Sequence, residues 1–344
     1  MTRVFSRRTA LTAAAAVAAT AAVAPASAAS ASTGGLQPMT EPLLPTGRQH
    51  RISSGKQSLV VAEVGAELRS WVVDGREVLV THPPDSMGDS HLGKILLPWV
   101  DRIDGGKYTF GGTAYETPIS EHWNNCAIHG LLSFSPWSPL RCERDRLVLG
   151  CVLYPQYGYP FTLRFQVEYL LSRTGLRVTL TAVNAGAKPA PLSSGYHPYF
   201  RVDPTIDPAT LTLAAETRLV MNDRMIPTGR APVAGTPFDF RTPKVIGPAK
   251  LDACYTGLLR PTADSAVARL RAPDGHEVEL WVDDSHRYLL VYSDDYAQGR
   301  PARGGIAIEP VTSAPNAFNS GDGLIVLEPG RSHTGFWGVR TNSL

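Results

Sequence analysis

The sequence predicts an all-β fold, a large antiparallel β-sandwich, and three observations support this class. Short runs of β-branched and aromatic residues recur along the chain and are separated by Gly, Pro, Asn and Asp. Helical periodicity is missing outside the N-terminal leader. The 28 prolines and 31 glycines are typical of a protein with many loops.

The first 28 residues predict an export signal rather than a folded element. A basic stretch containing Arg7 and Arg8 precedes an Ala-rich run, and small residues near Ala26 and Ala28 offer cleavage sites. The adjacent arginines favour a signal of the twin-arginine type. The alternatives are an Arg-rich leader of another kind and a disordered tail. We therefore expect an exported protein, extracellular or in the cell envelope.

Residues 29–48, rich in Gly, Ser and Pro, predict a flexible linker, and a single β-sandwich domain is expected over 49–344. The dipeptide Asp74-Gly75 marks a hairpin between two early strands. The predicted strands include, in order, QSLVVAEV, ELRSWVV, REVLVTH, LVLGCVLYP, FTLRFQVEYLL, GLRVTLTAVNAG, ATLTLAA, HEVELWVDD, RYLLVYSDD, GGIAIEP, LIVLEPG and HTGFWGVR. No composition shift marks a second domain.

Charge and cysteine usage narrow the classes of partner. With 33 basic and 31 acidic residues the net charge is +2, which does not indicate nucleic acid or an anionic surface. No apolar run of the mature chain reaches membrane-spanning length, so no membrane insertion is expected after signal removal. The cysteines lack CxxC spacing, and no metal is expected. Cys142 and Cys151 flank a polar turn and form either a disulfide or two buried free thiols.

Two histidines and a carboxylate are the strongest candidates for a functional site. They are His129 in NNCAIHGLL, His197 in SSGYHPYF and Glu309 in IAIEPVTSAPNAF. They lie far apart along the chain, in strand or turn segments, so they can meet only through the fold. Imidazoles beside a carboxylate suit acid/base chemistry on a neutral, polar substrate.

Six segments, in the same order along the chain, resemble the bacterial branch of the aldose 1-epimerase (galactose mutarotase) family. They are LLPWVDRIDGGKYTFGG, AIHGLLSFSPW, YGYPF, GYHPYF, LDACYTGL and IEPVTSAPNAF. The resemblance runs from about residue 49 to the C-terminus. It implies a galactose mutarotase-like β-sandwich that interconverts the α and β anomers of an aldose such as glucose or galactose, without a cofactor.

The resemblance also implies a role for five residues. Glu309 matches the base that takes the proton of the C1 hydroxyl, and His197 matches the acid that protonates the ring oxygen. His129 matches a histidine that holds developing charge near the ring oxygen. Arg102 and Asp252 match residues that bind sugar hydroxyls. We expect the carboxylate to favour the protonated form of a histidine beside it.

Each assignment has a structural alternative. His129 could be a turn residue, His197 part of a rigid bend, Glu309 a solvated strand end, Asp252 a turn former, and Arg102 a partner of Asp101 or Asp104 in a surface salt bridge. Asp101 also departs from the family, which commonly has Asn there, and this bears on hydroxyl preference. Aromatic residues near the motifs could stack on a sugar, but none is assigned: Trp99, Trp123, Trp281, Tyr115 and Tyr296.

Two other functions stay open at this point. One is an exported carbohydrate-binding module without turnover, and the other is an epimerase of hexose 6-phosphates. The sequence shows no arginine cluster for a phosphate, and a module that only binds sugar has no need of a proton-transfer pair. The identity of the aldose and the oligomeric state are not determined by the sequence.

Overall fold

A computed structural model gives the structure of the protein and describes residues 42–202, 204–262 and 265–344. The predicted signal peptide, residues 1–28, and residues 29–41 of the predicted linker lie outside the described residues. The described part of the chain contains no helix long and apolar enough to cross a membrane.

The regular secondary structure of the described chain is almost entirely β-strand. In chain order the first strands are β1 (Gln49–Ser54), β2 (Gln57–Ala62), β3 (Glu67–Val73), β4 (Arg76–Glu77), β5 (Ile95–Leu96), β6 (Arg102–Asp104), β7 (Lys107–Phe110), β8 (Thr113–Glu116), β9 (Cys126–Ile128), β10 (Ser138–Cys142), β11 (Arg146–Leu153), β12 (Leu163–Ser172), β13 (Gly175–Asn184) and β14 (Ala190–Leu192). They are followed by β15 (Gly195–Tyr196), β16 (Tyr199–Arg201), β17 (Thr210–Leu213), β18 (Ala215–Met221), β19 (Pro227–Pro232), β20 (Lys244–Val245), β21 (Asp252–Leu258), β22 (Ala266–Arg271), β23 (Glu277–Val282), β24 (Tyr288–Tyr292), β25 (Gly305–Val311), the short helix α1 (Ala317–Ser320), β26 (Ile325–Leu327) and β27 (Ser332–Thr341).

Two large sheets dominate the fold. One has nine strands in the order β10-β11-β12-β13-β27-β23-β22-β17-β20. The other has eight, in the order β19-β18-β21-β24-β25-β15-β5, with β16 also paired to β25. Within the described residues the other sheets are a four-stranded sheet, β1 to β4, and three two-stranded ribbons. Pairings within both large sheets are antiparallel, and the all-β antiparallel class predicted from the sequence is confirmed.

The main core lies between the nine-stranded and eight-stranded sheets. In β12 every second side chain is buried, because successive residues of a strand point to opposite faces. The ring of Tyr196, from the eight-stranded sheet, packs 5.2 Å from that of Trp337 in the nine-stranded sheet. Aromatic and aliphatic side chains of both sheets therefore form one continuous cluster.

The eight-stranded sheet is covered on both faces at its central strand. All seven residues of β25 are buried. Ile306 and Ile308 belong to the main core, so the alternation of a strand turns Ala307, Glu309 and Val311 to the opposite face. This second face of the sheet is where polar side chains collect.

The predicted hairpins form, and one of them corrects a prediction about cysteines. Asp74 and Gly75 connect β3 to β4 with φ of 48° and 80°, as a tight hairpin turn requires. In the β10–β11 hairpin Cys142 lies opposite Leu147, four residues from Cys151. Four strand residues span about 13 Å, whereas a disulfide joins Cα atoms less than about 7 Å apart. Both cysteines are free, so the disulfide is wrong, and Cys142 is exposed rather than buried.

A close backbone approach fixes the turn after β9. Gly130 has φ of 77°, and a Cβ atom added there would lie 2.0 Å from the carbonyl oxygen of Leu97. The left-handed backbone and the contact both require glycine.

We predict that Gly130→Ala lowers the free energy of unfolding by about 3 kcal/mol, from left-handed strain and overpacking together. Gly112 is the matched control, since its φ is 76° and nothing lies within 4 Å of an added Cβ. Gly112→Ala should cost only about 1 kcal/mol. Denaturant unfolding measures both, and equal losses would contradict the role of the Leu97 contact.

Candidate active site

All five predicted site residues line one cavity. It has a volume of about 990 Å³ and lies on the second face of the eight-stranded sheet. Arg102, His129, His197, Asp252 and Glu309 all contribute to its wall. These five residues lie far apart along the chain, and the fold brings them to one cavity. They could form a common site only in this way.

The register of β25 places Glu309 beside His197. Gly195 pairs with Val311 and Tyr199 with Ala307, so His197, midway between β15 and β16, lies across from Glu309. Its Nε2 is 3.3 Å from Oε1 of Glu309. Glu309 is only 3% exposed, and the alternative of a solvated strand end is therefore wrong.

His129 is positioned by the pairing of β6 with β9. Its backbone N–H donates to the carbonyl oxygen of Asp101 (2.9 Å), and the backbone N–H of Asp101 donates to Nδ1 of His129 (3.2 Å). Because Nδ1 accepts a hydrogen bond, the neutral ring carries its hydrogen on Nε2. His129 therefore has a donor available for a ligand. Its ring lies edge-on to that of His197, with centroids 5.2 Å apart.

A third histidine, His91, completes the aromatic surroundings. Its ring meets His129 edge-on at 4.7 Å and lies parallel to His197 at 6.5 Å. Tyr199 stacks on His197 at 4.9 Å, and its hydroxyl donates to the carbonyl oxygen of Ser90. These contacts fix the plane of the His197 ring. Burial lowers the pKa of His91 to about 4, and the charge of Lys94 contributes.

Loss of water sets the charge state of the site. Burial raises the pKa of Glu309 well above its usual value, and the negative charges of Asp101 and Asp252 raise it further. Burial lowers the pKa of His197 and of His129 well below the usual value, and neighbouring histidines add to this. The expectation that the carboxylate favours a protonated histidine is wrong for the free site, because burial disfavours both charged forms. Burial therefore favours the neutral form of each of the two groups.

Arg102 is held by two carboxylates. Its Nε and Nη2 donate to the two oxygens of Glu121 (2.7 and 2.8 Å), and Nη1 donates to Asp101 (3.2 Å). The predicted salt bridge with Asp101 exists, but it is buried, and Asp104 pairs with Arg224 instead. The guanidinium group of Arg102 has five N–H donors, and these contacts use three of them. Two N–H donors therefore remain for a ligand.

Asp252 faces the same cavity from the edge of the site. It begins β21 and pairs with Tyr292, which in turn pairs with Ala307. Asp252 and Glu309 therefore project from the same face, two strands apart, about 10 Å across the sheet. Reduced contact with water raises the pKa of Asp252 to about 6, and Asp101 contributes.

The same atoms could also hold a metal ion. One ligand atom from each of His129, His197 and Glu309 lies within 4.8 Å of the other two. Two imidazoles and a carboxylate form a donor set that zinc accepts. The geometry thus permits either direct acid/base work or metal binding by the three groups.

Sequence reasoning missed some residues of the cavity and left others unassigned. His91 and Glu121 line it, yet neither lies in a segment whose pattern marks a site. Of the aromatic candidates, Trp123 and Tyr296 line the cavity, whereas Trp99 is buried in the core. The remaining two, Tyr115 and Trp281, pack on aromatic neighbours: Phe161 and Phe336.

Comparison with known proteins identifies the family and the fold. Residues 48–338 match the family model described as aldose 1-epimerase. A protein of Escherichia coli (strain K12) described as uncharacterized protein YihR is 32% identical over 296 residues, covering 86% of this chain and 93% of that protein. The galactose mutarotase of Mus musculus is 29% identical over 167 residues, 46% of this chain and 47% of the mouse protein.

A solved structure shows the same fold. The GalM/aldose epimerase homologue from C. elegans matches with a TM-score of 0.77 at 18% sequence identity, covering 86% of this chain and 98% of the other. At 18% sequence identity, structural similarity shows a shared fold and does not show a shared function. The family match, in contrast, extends over most of the sequence, and on that basis the chain belongs to the aldose 1-epimerase family.

Proposed function

We propose that the protein is an aldose 1-epimerase that interconverts the α and β anomers of a neutral aldose, such as glucose or galactose. The observation that carries the proposal is the contact of 3.3 Å between His197 and Glu309, both buried at the wall of a cavity. This pair offers a proton acceptor beside a proton donor, which opening a cyclic hemiacetal requires.

The spacing of the pair suits the anomeric centre. The C1 hydroxyl and the ring oxygen are attached to the same carbon, so the groups that serve them must be neighbours. Glu309 takes the hydroxyl proton while His197 protonates the ring oxygen, and the C1–ring oxygen bond breaks. After rotation about C1–C2 the aldehyde recloses on its other face, with the two roles exchanged.

The directions of the two pKa shifts are consistent with this mechanism, since burial favours a protonated Glu309 and a neutral His197. Moving the proton of Glu309 to His197 would give the carboxylate and imidazolium that ring opening uses. Oε2 of Glu309 is buried and has no hydrogen-bond partner within residues 42–202, 204–262 and 265–344. A hydrogen bond from a bound sugar would satisfy such an atom, which is costly to leave unpaired.

Three further side chains would orient the sugar. His129 would donate from Nε2 toward the ring oxygen, where negative charge develops as the C1–ring oxygen bond breaks. Arg102 would donate its remaining N–H groups to hydroxyls, and Asp252 would accept from hydroxyls on the far side of the ring. Each role agrees with what the family resemblance implies for that residue.

The charge of the cavity favours a neutral substrate over a sugar phosphate. Its lining includes five carboxylates but only two Lys or Arg residues, Arg102 and Lys250. Arg102 is already bound by Asp101 and Glu121. A phosphate would meet net negative charge, which opposes binding.

For the same protein we also propose export through the twin-arginine signal, on the evidence of residues 1–28 alone.

Glu309→Gln should reduce kcat by about 10³-fold, since a positioned acid or base contributes roughly 10² to 10⁴. Binding of the sugar should change little, because glutamine keeps the shape of the side chain. Saturation-transfer NMR of the anomeric protons measures turnover with glucose and galactose. Glu116, exposed and outside the cavity, provides the matched control Glu116→Gln, and equal rates for both variants would refute the base.

Asp101→Asn should move the basic limb of the profile of kcat/KM against pH to lower pH. Ring opening uses the proton of Glu309, and that proton is lost as the pH rises through the pKa of Glu309. Burial raises that pKa first, and the negative charge of Asp101 raises it further. Removing that charge lowers the pKa, so activity is lost at a lower pH on the alkaline side. A limb that stays in place would contradict the coupling between the two carboxylates.

Removal of metal ions should leave turnover unchanged, because the proposed steps use only protons moved by side chains. The measurement is the rate of anomer exchange after dialysis against EDTA, with metal content determined by elemental analysis. A loss of activity that added Zn²⁺ restores would show that His129, His197 and Glu309 work as metal ligands instead.

A further inference from the structure

Arg300 is not among the residues that line the cavity, yet its guanidinium group connects two loops beside it. Its Nε donates to Oδ1 of Asp89 (2.8 Å), and its Nη2 donates to Oδ1 of Asp294 (2.9 Å). Nη1 donates to the other oxygen of Asp294. The side chain of Arg300 is 12% exposed, and that of Asp294 is fully buried. The planar fork matches the carboxylate of Asp294 in a bidentate contact, which fixes the orientation of the guanidinium plane.

The same guanidinium group lies on the ring of Tyr199. Its central carbon is 5.1 Å from the centroid of that ring. The Tyr199 ring is nearly parallel to the ring of His197, with an interplanar angle of 8° and centroids 4.9 Å apart. A cation is attracted to the face of an aromatic ring, and stacked rings restrict each other's orientation. Arg300, Tyr199 and His197 therefore form a chain of contacts that leads from the two loops to the imidazole of the proton-transfer pair.

The turn that carries His91 depends on the same arginine. Ser90 and His91 have φ of 50° and 54°, in the left-handed region that residues other than glycine rarely adopt. Asp89, immediately before them, is bound by Arg300, and the carbonyl oxygen of Ser90 accepts from the hydroxyl of Tyr199. A strained turn persists only where its surroundings hold it. The contacts of Arg300 with Asp89 and with Tyr199 hold this turn against the ring that stacks on His197.

A second arginine of the same loop separates these contacts from ordinary ion pairing. The side chain of Arg303 is 15% exposed, and it too binds two carboxylates, those of Asp207 and Asp295. It also donates to two backbone carbonyl oxygens. Arg300 and Arg303 are therefore alike in burial and in ion pairs, and they differ in the contact of Arg300 with Tyr199.

We propose that Arg300 is a positioning residue of the proton-transfer pair: it holds the ring of Tyr199 against His197 and so keeps the imidazole at Glu309. Arg300 acts through Tyr199 and not on the sugar. The inference rests on the proposed function, because it takes His197 to exchange a proton with the hemiacetal. Proton transfer needs an exact position of the imidazole, whereas binding of the sugar hydroxyls depends on other side chains. Loss of Arg300 should therefore act on the chemical step.

The test is the kinetics of Arg300→Met with glucose and galactose, measured by saturation-transfer NMR of the anomeric protons. We expect kcat to fall about tenfold to a hundredfold, since a small misplacement of a reacting group has an effect of this order. KM should change little. Arg303→Met is the matched control, which loses comparable ion pairs and should keep its kcat. An equal fall of kcat in both variants, or a change in KM alone, would overturn the positioning role.

A second variant covers the case in which Arg300→Met does not fold. Arg300→Lys keeps a cation beside the two carboxylates, and it lacks the planar fork that makes the bidentate contact and lies on the ring of Tyr199. We expect it to fold and to show a lowered kcat at an unchanged KM. A wild-type kcat in Arg300→Lys would overturn the proposal.

The position of the imidazole is also measurable without a substrate. The ring protons of His197, identified by their absence in His197→Gln, should change their chemical shifts in Arg300→Met or Arg300→Lys, because the ring current of Tyr199 reaches them. They should stay in place in Arg303→Met. If the wild-type protein turns over neither sugar, the proposed function fails and these NMR signals decide the role of Arg300. A shift confined to the Arg300 variants supports it, and unchanged signals overturn it.

Discussion

The structure around the cavity depends on one costly arrangement, the burial of Glu309 against His197. Neither group can easily hold its charge away from water, so burial favours the neutral form of both. Only a rigid scaffold can hold these side chains at 3.3 Å with polar atoms left for a ligand. Burial raises the pKa of Glu309 and lowers that of His197. Each group can therefore exchange a proton with a bound substrate.

The register of paired strands, rather than loops alone, fixes the positions of these side chains. β15 and β16 both pair with β25, so the chain on either side of His197 is fixed relative to Glu309. The β6–β9 ribbon does the same for Arg102 and His129. Side chains set by paired strands are more precisely placed than side chains on free loops, and an aromatic stack on Tyr199 fixes the remaining ring orientation.

Sequence reasoning predicted the elements with strong local signals. The long strands β12 and β13 alternate buried and exposed positions, so their pattern is readable, whereas β5 and β15 have two residues each and carry no period. The family motifs identified five residues of the cavity. Glu121 escaped notice because its contact with Arg102 spans 19 residues and depends on how the β6–β9 ribbon folds back. The lowered pKa of His197 could not be predicted from the sequence either, since it follows from burial in the folded chain.

The most direct test of the proton-transfer pair is a crystal structure of the Glu309→Gln protein with the aldose it binds. We expect the C1 hydroxyl to contact the side chain at position 309 and the ring oxygen to lie within hydrogen-bond distance of Nε2 of His197. A sugar bound with its anomeric carbon away from His197 and Glu309 would contradict this mechanism, because neither group could then exchange a proton with the hemiacetal.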